Sequence, residues 1–330
     1  MIPLAPIVWQ VFRQTNGARG MRDEGRMPIP VSPEFGNFEE RTAVRLIELA
    51  LAEDLAGSST NELNRDLTCA ALIDSSETAT INVVVRRDGV LSGGPVAELV
   101  FKRLDPIVRW ETIVADGSLV TTQSVVARAS GPLRSLLIGE RTALNFLMHL
   151  SGVATQARKF VDAVAGTKAV ILDTRKTLPG WRALEKYAVR CGGGTNHRLG
   201  LHDGVLIKDN HLAAWVRGQG NATIADAIWQ ARSVSPSGIA IEVEVDTLEQ
   251  LRDALTAGPE IVLLDNMEPT TLLEAVRLRD ESAPTTRLEA SGGITLSNVR
   301  EIAETGVDRI SIGALTHSAP ALDIAFDWPG

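Results

Sequence analysis

From residue 169 onward, six short apolar runs alternate with helical patterns. The runs span 169–174, 204–207, 239–245, 260–265, 286–291 and 308–313. Between them stand WRALEKYAVR, IADAIWQARSV, LEQLRDALTA, TLLEAVRLRD and LSNVREIAETG. Such alternation predicts a parallel sheet with helices packed outside it, because parallel strands need a helix-length crossover. Six strands fall short of the eight that close a TIM barrel. The count therefore predicts an α/β fold, either an open barrel or a doubly wound sheet.

The earlier part of the chain has a different rhythm. Asn37 is placed to cap a helix beginning FEERTAVRLIELALAEDL, whose Val44, Ile47, Leu51 and Leu55 recur at helical spacing. INVVVRRDGVLSG and IVRWETIVADGSLVTTQSVVARASG read as β-structure, with turns at Asp88-Gly89 and Asp116-Gly117. PVAELVFKRL reads as a helix, as does LIGERTALNFLMHLSGVATQARKFVDAV, with an expected interruption near Gly152. The first 37 residues are expected to be a poorly ordered extension. MIPLAPIVWQVF is apolar, but it lacks a basic start and carries two prolines, unlike a signal peptide.

The chemistry stands at the carboxyl end of each apolar run. The runs end in Asp173-Thr174-Arg175-Lys176, Lys208-Asp209-Asn210, Glu244 and Asp246, Asp265-Asn266, Ser291-Gly292-Gly293, and Gly313. Barrels and open α/β sheets place their sites at the carboxyl ends of their strands. Arg175 and Lys176 read either as a solvated turn or as an anion clamp, a planar fork beside a point charge. In IEVEVD, Glu242, Glu244 and Asp246 share one face of a strand, and inward carboxylates need cations or metal. With Asp265, they suit ribose hydroxyls or Mg²⁺. The turns in EASGGI and SIGAL read as phosphate loops, or as plain turns.

GGGTNHRLGLHDGVLIKDNH, from 192 to 211, holds three of the five histidines. Its spacing fits no HExxH or His/Cys zinc pattern. The company of Arg198 and Lys208 favours an anion pocket. The formal charge of −8 argues against nucleic acid or an anionic membrane as partner. A local cation cluster still acts within a Debye length of roughly 8–10 Å. Two cysteines without a CxxC fit a reducing cytoplasm, and no apolar run approaches a membrane span.

Taken in order, GERTALNFL, DTRKTLPG, KYAVRCGGGTNHRLGLHDGVLIKDNH, EVEVDTLEQL, LLDNM, EASGGI and IGALTHS resemble the quinolinate phosphoribosyltransferase family. The resemblance covers about residues 40–325. It departs at EDLAGSSTNELNRDLT, longer than the family's compact segment. It implies an amino-terminal α/β sandwich (38–155, with the tail 315–330 packing back on it) and an open six-stranded α/β barrel (156–314), TIM-like but incomplete. It further implies transfer of phosphoribosyl from phosphoribosyl pyrophosphate (PRPP) to quinolinate with decarboxylation, Mg²⁺ accompanying PRPP, and a homodimer at least.

By the same resemblance, Arg141 from the neighbouring subunit, Arg175, His197, Arg198 and Lys208 would surround the quinolinate carboxylates. Thr174 and Lys176 would face PRPP. Glu244 and Asp265 would hold ribose hydroxyls and the metal, directly or through water, with Glu242 as an inner structural acid. Ser291, Gly292 and Gly293, with Ile312, Gly313, Ala314 and nearby His317, would cradle the 5′-phosphate. Cys191 and Tyr187 are assigned to packing, His202 and His211 to shaping the loop, and His149 to no catalytic role. The rival readings are a paralogous phosphoribosyltransferase, a Schiff-base barrel lyase using Lys176 or Lys208, and a non-catalytic phosphate-binding barrel.

Overall fold

The computed structural model describes residues 33–56, 66–219 and 222–328. The amino-terminal part contains α1 (Asn37–Leu55), α2 (Leu67–Leu72), β1 (Thr78–Val85), β2 (Gly89–Val90) and α3 (Gly94–Leu104). It continues with β3 (Arg109–Thr112), β4 (Leu119–Val120), β5 (Val125–Pro132) and α4 (Leu133–Ala163). The alternating part contains β6 (Val170–Leu172), α5 (Arg182–Cys191), β7 (Val205–Ile207), α6 (Asp209–Gln219), α7 (Ile224–Val234) and β8 (Ile241–Val245). After these come α8 (Leu248–Thr256), β9 (Ile261–Asp265), α9 (Pro269–Ser282), β10 (Arg287–Ser291), α10 (Val299–Glu304), β11 (Arg309–Ser311), α11 (Ala314–His317) and β12 (Ile324–Asp327).

Each of the six apolar runs carries one strand, and the six form one parallel sheet in the order β6-β11-β10-β9-β8-β7. That order decides between an open barrel and a doubly wound sheet. A doubly wound sheet reverses direction at a switch point. Here β7 through β11 follow one another without reversal, and β6 lies beside β11. This is the order of a barrel opened between its first and second strands. Among the described residues β6 and β7 do not pair, and Leu172 is bridged instead to Thr195 in the segment after α5. In β8, Ile241, Val243 and Val245 are fully buried, and the strand packs against α7 and α8.

A second sheet is antiparallel, in the order β12-β1-β5-β3. Its outermost strand comes from the carboxyl-terminal tail, with Val85 opposite Ile324. Helix α4 packs on α3, β2 and β5 and also on α5 and β6, so one apolar core serves both sheets. No helix among the described residues is long and apolar enough to cross a membrane.

The structure corrects several local expectations. Helix α4 runs unbroken for 31 residues, through Gly152. A Cβ at Gly152 would lie 2.3 Å from the Pro320 carbonyl oxygen, so the glycine serves close approach of the tail rather than a break. Asp88-Gly89 does not turn a hairpin, since β2 pairs with β4 and not with β1. Helix α1 begins at Asn37 itself, with Gly36 at the cap. Of the expected extension, residues 1–32 lie outside the described residues, as does 57–65 in the lengthened loop. Phe35 packs edge-on against Tyr187, so this part of the segment belongs to the fold.

Buried Asp116 fastens three elements. Its carboxylate accepts from the Gly93 and Gly94 amides at 2.7 and 3.1 Å, and from the Tyr187 hydroxyl at 2.9 Å. Burial raises its pKa, and these three donors oppose the rise. The β2–α3 turn, the β3–β4 loop and α5 are held together through this one side chain.

Candidate active site

A cavity of about 500 Å³ lies at the carboxyl ends of the barrel strands. One wall carries Thr174, Arg175, Lys176, His197, Arg198 and Lys208. The ends of β8, β9 and β10 supply Glu244, Asp265, Ser291, Gly292 and Gly293. The cavity thus gathers cations from the three segments that follow β6, α5 and β7, and carboxylates from β8 and β9. Leu206, Leu263, Asn266 and Ser311 also line it, none of them given a site role by the sequence.

Lys176 is fixed by its backbone. Its amide donates to Thr174 Oγ1 at 3.0 Å, and its carbonyl accepts from Thr316 Oγ1 at 2.7 Å. A Cβ added to Gly313 would meet Lys176 Cδ at 2.9 Å and His317 Nε2 at 3.1 Å, which places the lysine stem and the His317 ring both against Gly313. Ile312 is buried and joins Leu172 through its amide, so the β11 turn presents Ser311 to the cavity. Ala314 opens the four-residue α11. The Gly292-Gly293 turn has φ of +94° and +61°, and α10 begins only at Val299. No helix N-terminus therefore stands directly behind that turn.

Arg175 and Arg198 share one wall. Burial and the neighbouring Arg175 charge both lower the Arg198 pKa, and the Glu242 and Asp203 carboxylates oppose the fall. Lys208 Nζ pairs with Glu244. His211 Nδ1 accepts the Lys208 amide at 2.9 Å. Arg141 is exposed on α4 and does not line the cavity of its own chain.

The support behind this wall escapes a reading of the sequence. Asp173 and Lys186 form an ion pair with no exposed surface. Burial pushes the carboxyl pKa up and the ammonium pKa down, and their mutual attraction offsets part of both shifts. Asp173 accepts the His197 amide at 2.9 Å, and Lys186 donates to the His197 carbonyl at 2.9 Å. Asn196 bridges them, donating to Asp173 and to the Lys186 carbonyl while accepting from Arg190. Asp173 lies within the DTRK run, but Lys186 in KYAVR carries no signal beyond a charged helix position.

The His197 ring is engaged on both nitrogens. Nε2 lies 3.1 Å from Glu242 and 3.4 Å from Glu289, and Nδ1 accepts the Arg198 amide at 2.8 Å. Burial lowers the imidazole pKa, but the two carboxylates outweigh it and push it up to about 9. The Arg198 N–H on Nδ1 opposes a second ring proton. That contact is the stronger constraint, because a second proton requires the Arg198 peptide to turn away. The ring proton therefore sits on Nε2. Both ring nitrogens are thus engaged within the protein, while the residue still lines the cavity where the sequence placed it.

His149 pairs with buried Glu185 at 2.9 Å and stacks edge-on against Trp181. Glu185 also accepts the Leu178 amide, which ties the loop after Lys176 to α5. Burial pushes the Cys191 thiol up to about 12, so it is no nucleophile.

The family model described as quinolinate phosphoribosyl transferase, N-terminal domain, matches residues 66–151. The model for the C-terminal domain of the same family matches 153–327. The chain belongs to this family. A relative in Mycobacterium leprae, named nicotinate-nucleotide pyrophosphorylase [carboxylating], is 45% identical over 283 residues, covering 85% of this chain and 95% of the relative. A Bacillus subtilis relative, described as a probable enzyme of that name, is 41% identical and covers 79% and 87%. Among solved structures, the nicotinate-nucleotide pyrophosphorylase from Francisella tularensis superposes with a TM-score of 0.78 at 37% identity, covering 88% of this chain and 96% of that one. The Streptococcus pyogenes NadC structure superposes at 0.80 with 36% identity, covering 90% and 98%. The boundary between the two matched regions falls within α4, the helix that both sheets share.

Proposed function

We propose that the chain transfers phosphoribosyl from PRPP to quinolinate and releases pyrophosphate and CO₂, giving nicotinate mononucleotide for NAD synthesis. The observation that carries this reading is one cavity lined by the cations Arg175, Arg198 and Lys208 together with the carboxylates Glu244 and Asp265, in a chain of this family. Quinolinate bears two adjacent carboxylates. Hydrogen bonds to charged groups contribute about 1.5–3 kcal/mol each, so several cations are needed to offset desolvation of a dianion.

Each wall has its task. Arg175, Arg198 and Lys208 orient the dicarboxylate so that its ring nitrogen faces the anomeric carbon of PRPP. Lys176 and Thr174 face the pyrophosphate, and Lys176 stabilises the charge that develops as it leaves. Ser291, Gly292 and Gly293 hold the 5′-phosphate. Glu244 and Asp265 offer hard oxygen donors on adjacent strands, a set that fits Mg²⁺ shared with substrate phosphates. When bound, that ion neutralises leaving-group charge. The carbon–nitrogen bond forms as the carbon–oxygen bond to pyrophosphate breaks, which leaves the ring nitrogen cationic. The 2-carboxylate then departs as CO₂, its electron pair remaining on the ring carbon until a proton replaces it. No side-chain nucleophile is needed, so positioning supplies much of the rate. The Lys208 ammonium, held by Glu244, serves as an anion-binding cation in this scheme.

Quinolinate labelled in its 2-carboxylate is expected to release labelled CO₂ only when PRPP and Mg²⁺ are present. Turnover of nicotinate in its place, without CO₂, would sink the reading. The protein is further proposed to be a cytoplasmic homodimer in which Arg141 completes the neighbouring site. Arg141→Ala mixed and reassociated with Lys176→Ala is then expected to recover about a quarter of wild-type activity, since half the dimers regain one intact site. Recovery no greater than the sum of the separate variants would refute the shared site.

A further inference from the structure

Glu289 has no exposed surface, and its Oε1 makes no hydrogen bond among the described residues. That oxygen lies 3.4 Å from His197 Nε2. The other, Oε2, accepts from Arg309 Nε at 2.7 Å. Glu242, 4% exposed, approaches the same Nε2 from β8 at 3.1 Å. A polar chain therefore crosses the barrel interior from β11 through β10 to the loop that carries His197, and on to β8. It ends where His197 Nδ1 takes the Arg198 amide.

We propose that Glu289 is a positioning residue which, through the His197 ring, sets the orientation of Arg198 in the cavity. The argument is one of donors and acceptors. Two carboxylates, Glu242 at 3.1 Å and the otherwise unbonded Glu289 Oε1 at 3.4 Å, converge on Nε2 and together require the ring proton there, which leaves Nδ1 as an acceptor. Only an acceptor at Nδ1 can receive the Arg198 N–H. With that peptide fixed, the Arg198 guanidinium spans from the Gly204 carbonyl, 2.9 Å away, to the cavity wall. Neither Glu289 nor His197 needs to touch substrate for this to work.

His197, Glu242 and Glu289 also bring three potential ligand atoms within 4.8 Å of one another, as a metal site would. A metal on Nε2 would require the proton on Nδ1, facing the Arg198 N–H. The hydrogen-bond pattern thus favours a proton at the centre of the cluster over a cation.

The inference rests on the proposed quinolinate reaction for its kinetic readout. The test uses the full chain, Glu289→Gln, and Glu289→Gln combined with Arg309→Gln. The second variant removes the uncompensated Arg309 charge should the first fold poorly. A glutamine amide turned toward Nε2 sets donor against donor and disfavours the native tautomer. Both variants are expected to raise the quinolinate KM at least about tenfold, the loss of one well-aimed charge-assisted contact, with the PRPP KM within about twofold. Nitrogen NMR of the wild-type ring, assigned by the signal missing in His197→Gln, is expected to place the proton on Nε2. Equal shifts in both KM values, or none, would overturn the proposal. So would an unprotonated Nε2 together with one equivalent of divalent metal by elemental analysis. If wild type fails to turn over quinolinate, the proposed reaction fails, while the NMR result still decides the positioning.

Discussion

Lys186→Met is expected to lower both stability and activity. Lys186 and Asp173 are both without exposed surface, and removing one partner of a buried ion pair costs about 3–5 kcal/mol. Methionine fills similar space, so the loss reflects stranded polar groups: the Asp173 carboxylate and the His197 carbonyl that Lys186 Nζ serves. Asp173 keeps the His197 amide and Asn196 as donors, which places the expected loss toward the lower end of that range. The His197 backbone is held by its amide through Asp173 and by its carbonyl through Lys186. Loss of one clamp lets the adjacent Arg198 move, and a misplacement of about 1 Å in a positioning residue can cost about 10²-fold in rate. Urea unfolding and kcat/KM measured on the same preparation check both parts. Full activity with an unchanged midpoint would show that the pair does not hold the site.

The second large effect is expected at Gly292. Its φ of +94° is a conformation that side chains rarely adopt. A Cβ there would also meet Asn266 Oδ1 at 2.1 Å and the Asn266 amide nitrogen at 3.0 Å. Asn266 cannot yield without disturbance, because its amide donates to Ser291 and its side chain to Asp265. Gly292→Ala should therefore displace Asp265 and the phosphate turn together. The expected result is a rise of about 10²-fold in PRPP KM, by the same sensitivity to misplacement. Gly293→Ala is the control. It shares a positive φ, but nothing lies within 4 Å of its added Cβ, so the left-handed backbone adds only about 1–2 kcal/mol. If Gly293→Ala impairs PRPP use as much as Gly292→Ala, the steric account is wrong.

The barrel strands were legible because period and alternation are local properties. Every apolar run from residue 169 carries a strand. The strand order was not legible, since pairing depends on contacts far apart in sequence. Gly152 shows the same limit, as a local reading makes it a breaker while the cause lies in the tail at Pro320. Arg175, Lys176 and Lys208 could be named because cations at strand ends have few structural reasons to be there, and Arg198 because it shares a glycine-rich segment with Lys208. Lys186 and Glu185 sit side by side on α5 with no exposed surface, where composition suggests a solvated face. Their partners, Asp173 and His149, are supplied by other elements, so no window of sequence displays the pairing. Glu289 stands within EASGGI, but its neighbours Arg309 and His197 come from β11 and the segment after α5, so the run itself does not display its role. The role proposed for Arg141 rests on the family resemblance alone.

The strand that completes the amino-terminal sheet is β12, made only after every strand of the barrel. Until residues 324–327 leave the ribosome, one edge of β1 has no partner. Folding amino-terminal units first, as they emerge, is the common habit of chains of this size. This chain has to hold its first sheet unfinished while the whole barrel is synthesised. The closing contact spans most of the sequence, so it carries a large loop-closure cost and a high contact order. The two regions are thereby expected to acquire their final form together, with docking of the tail as the slow step.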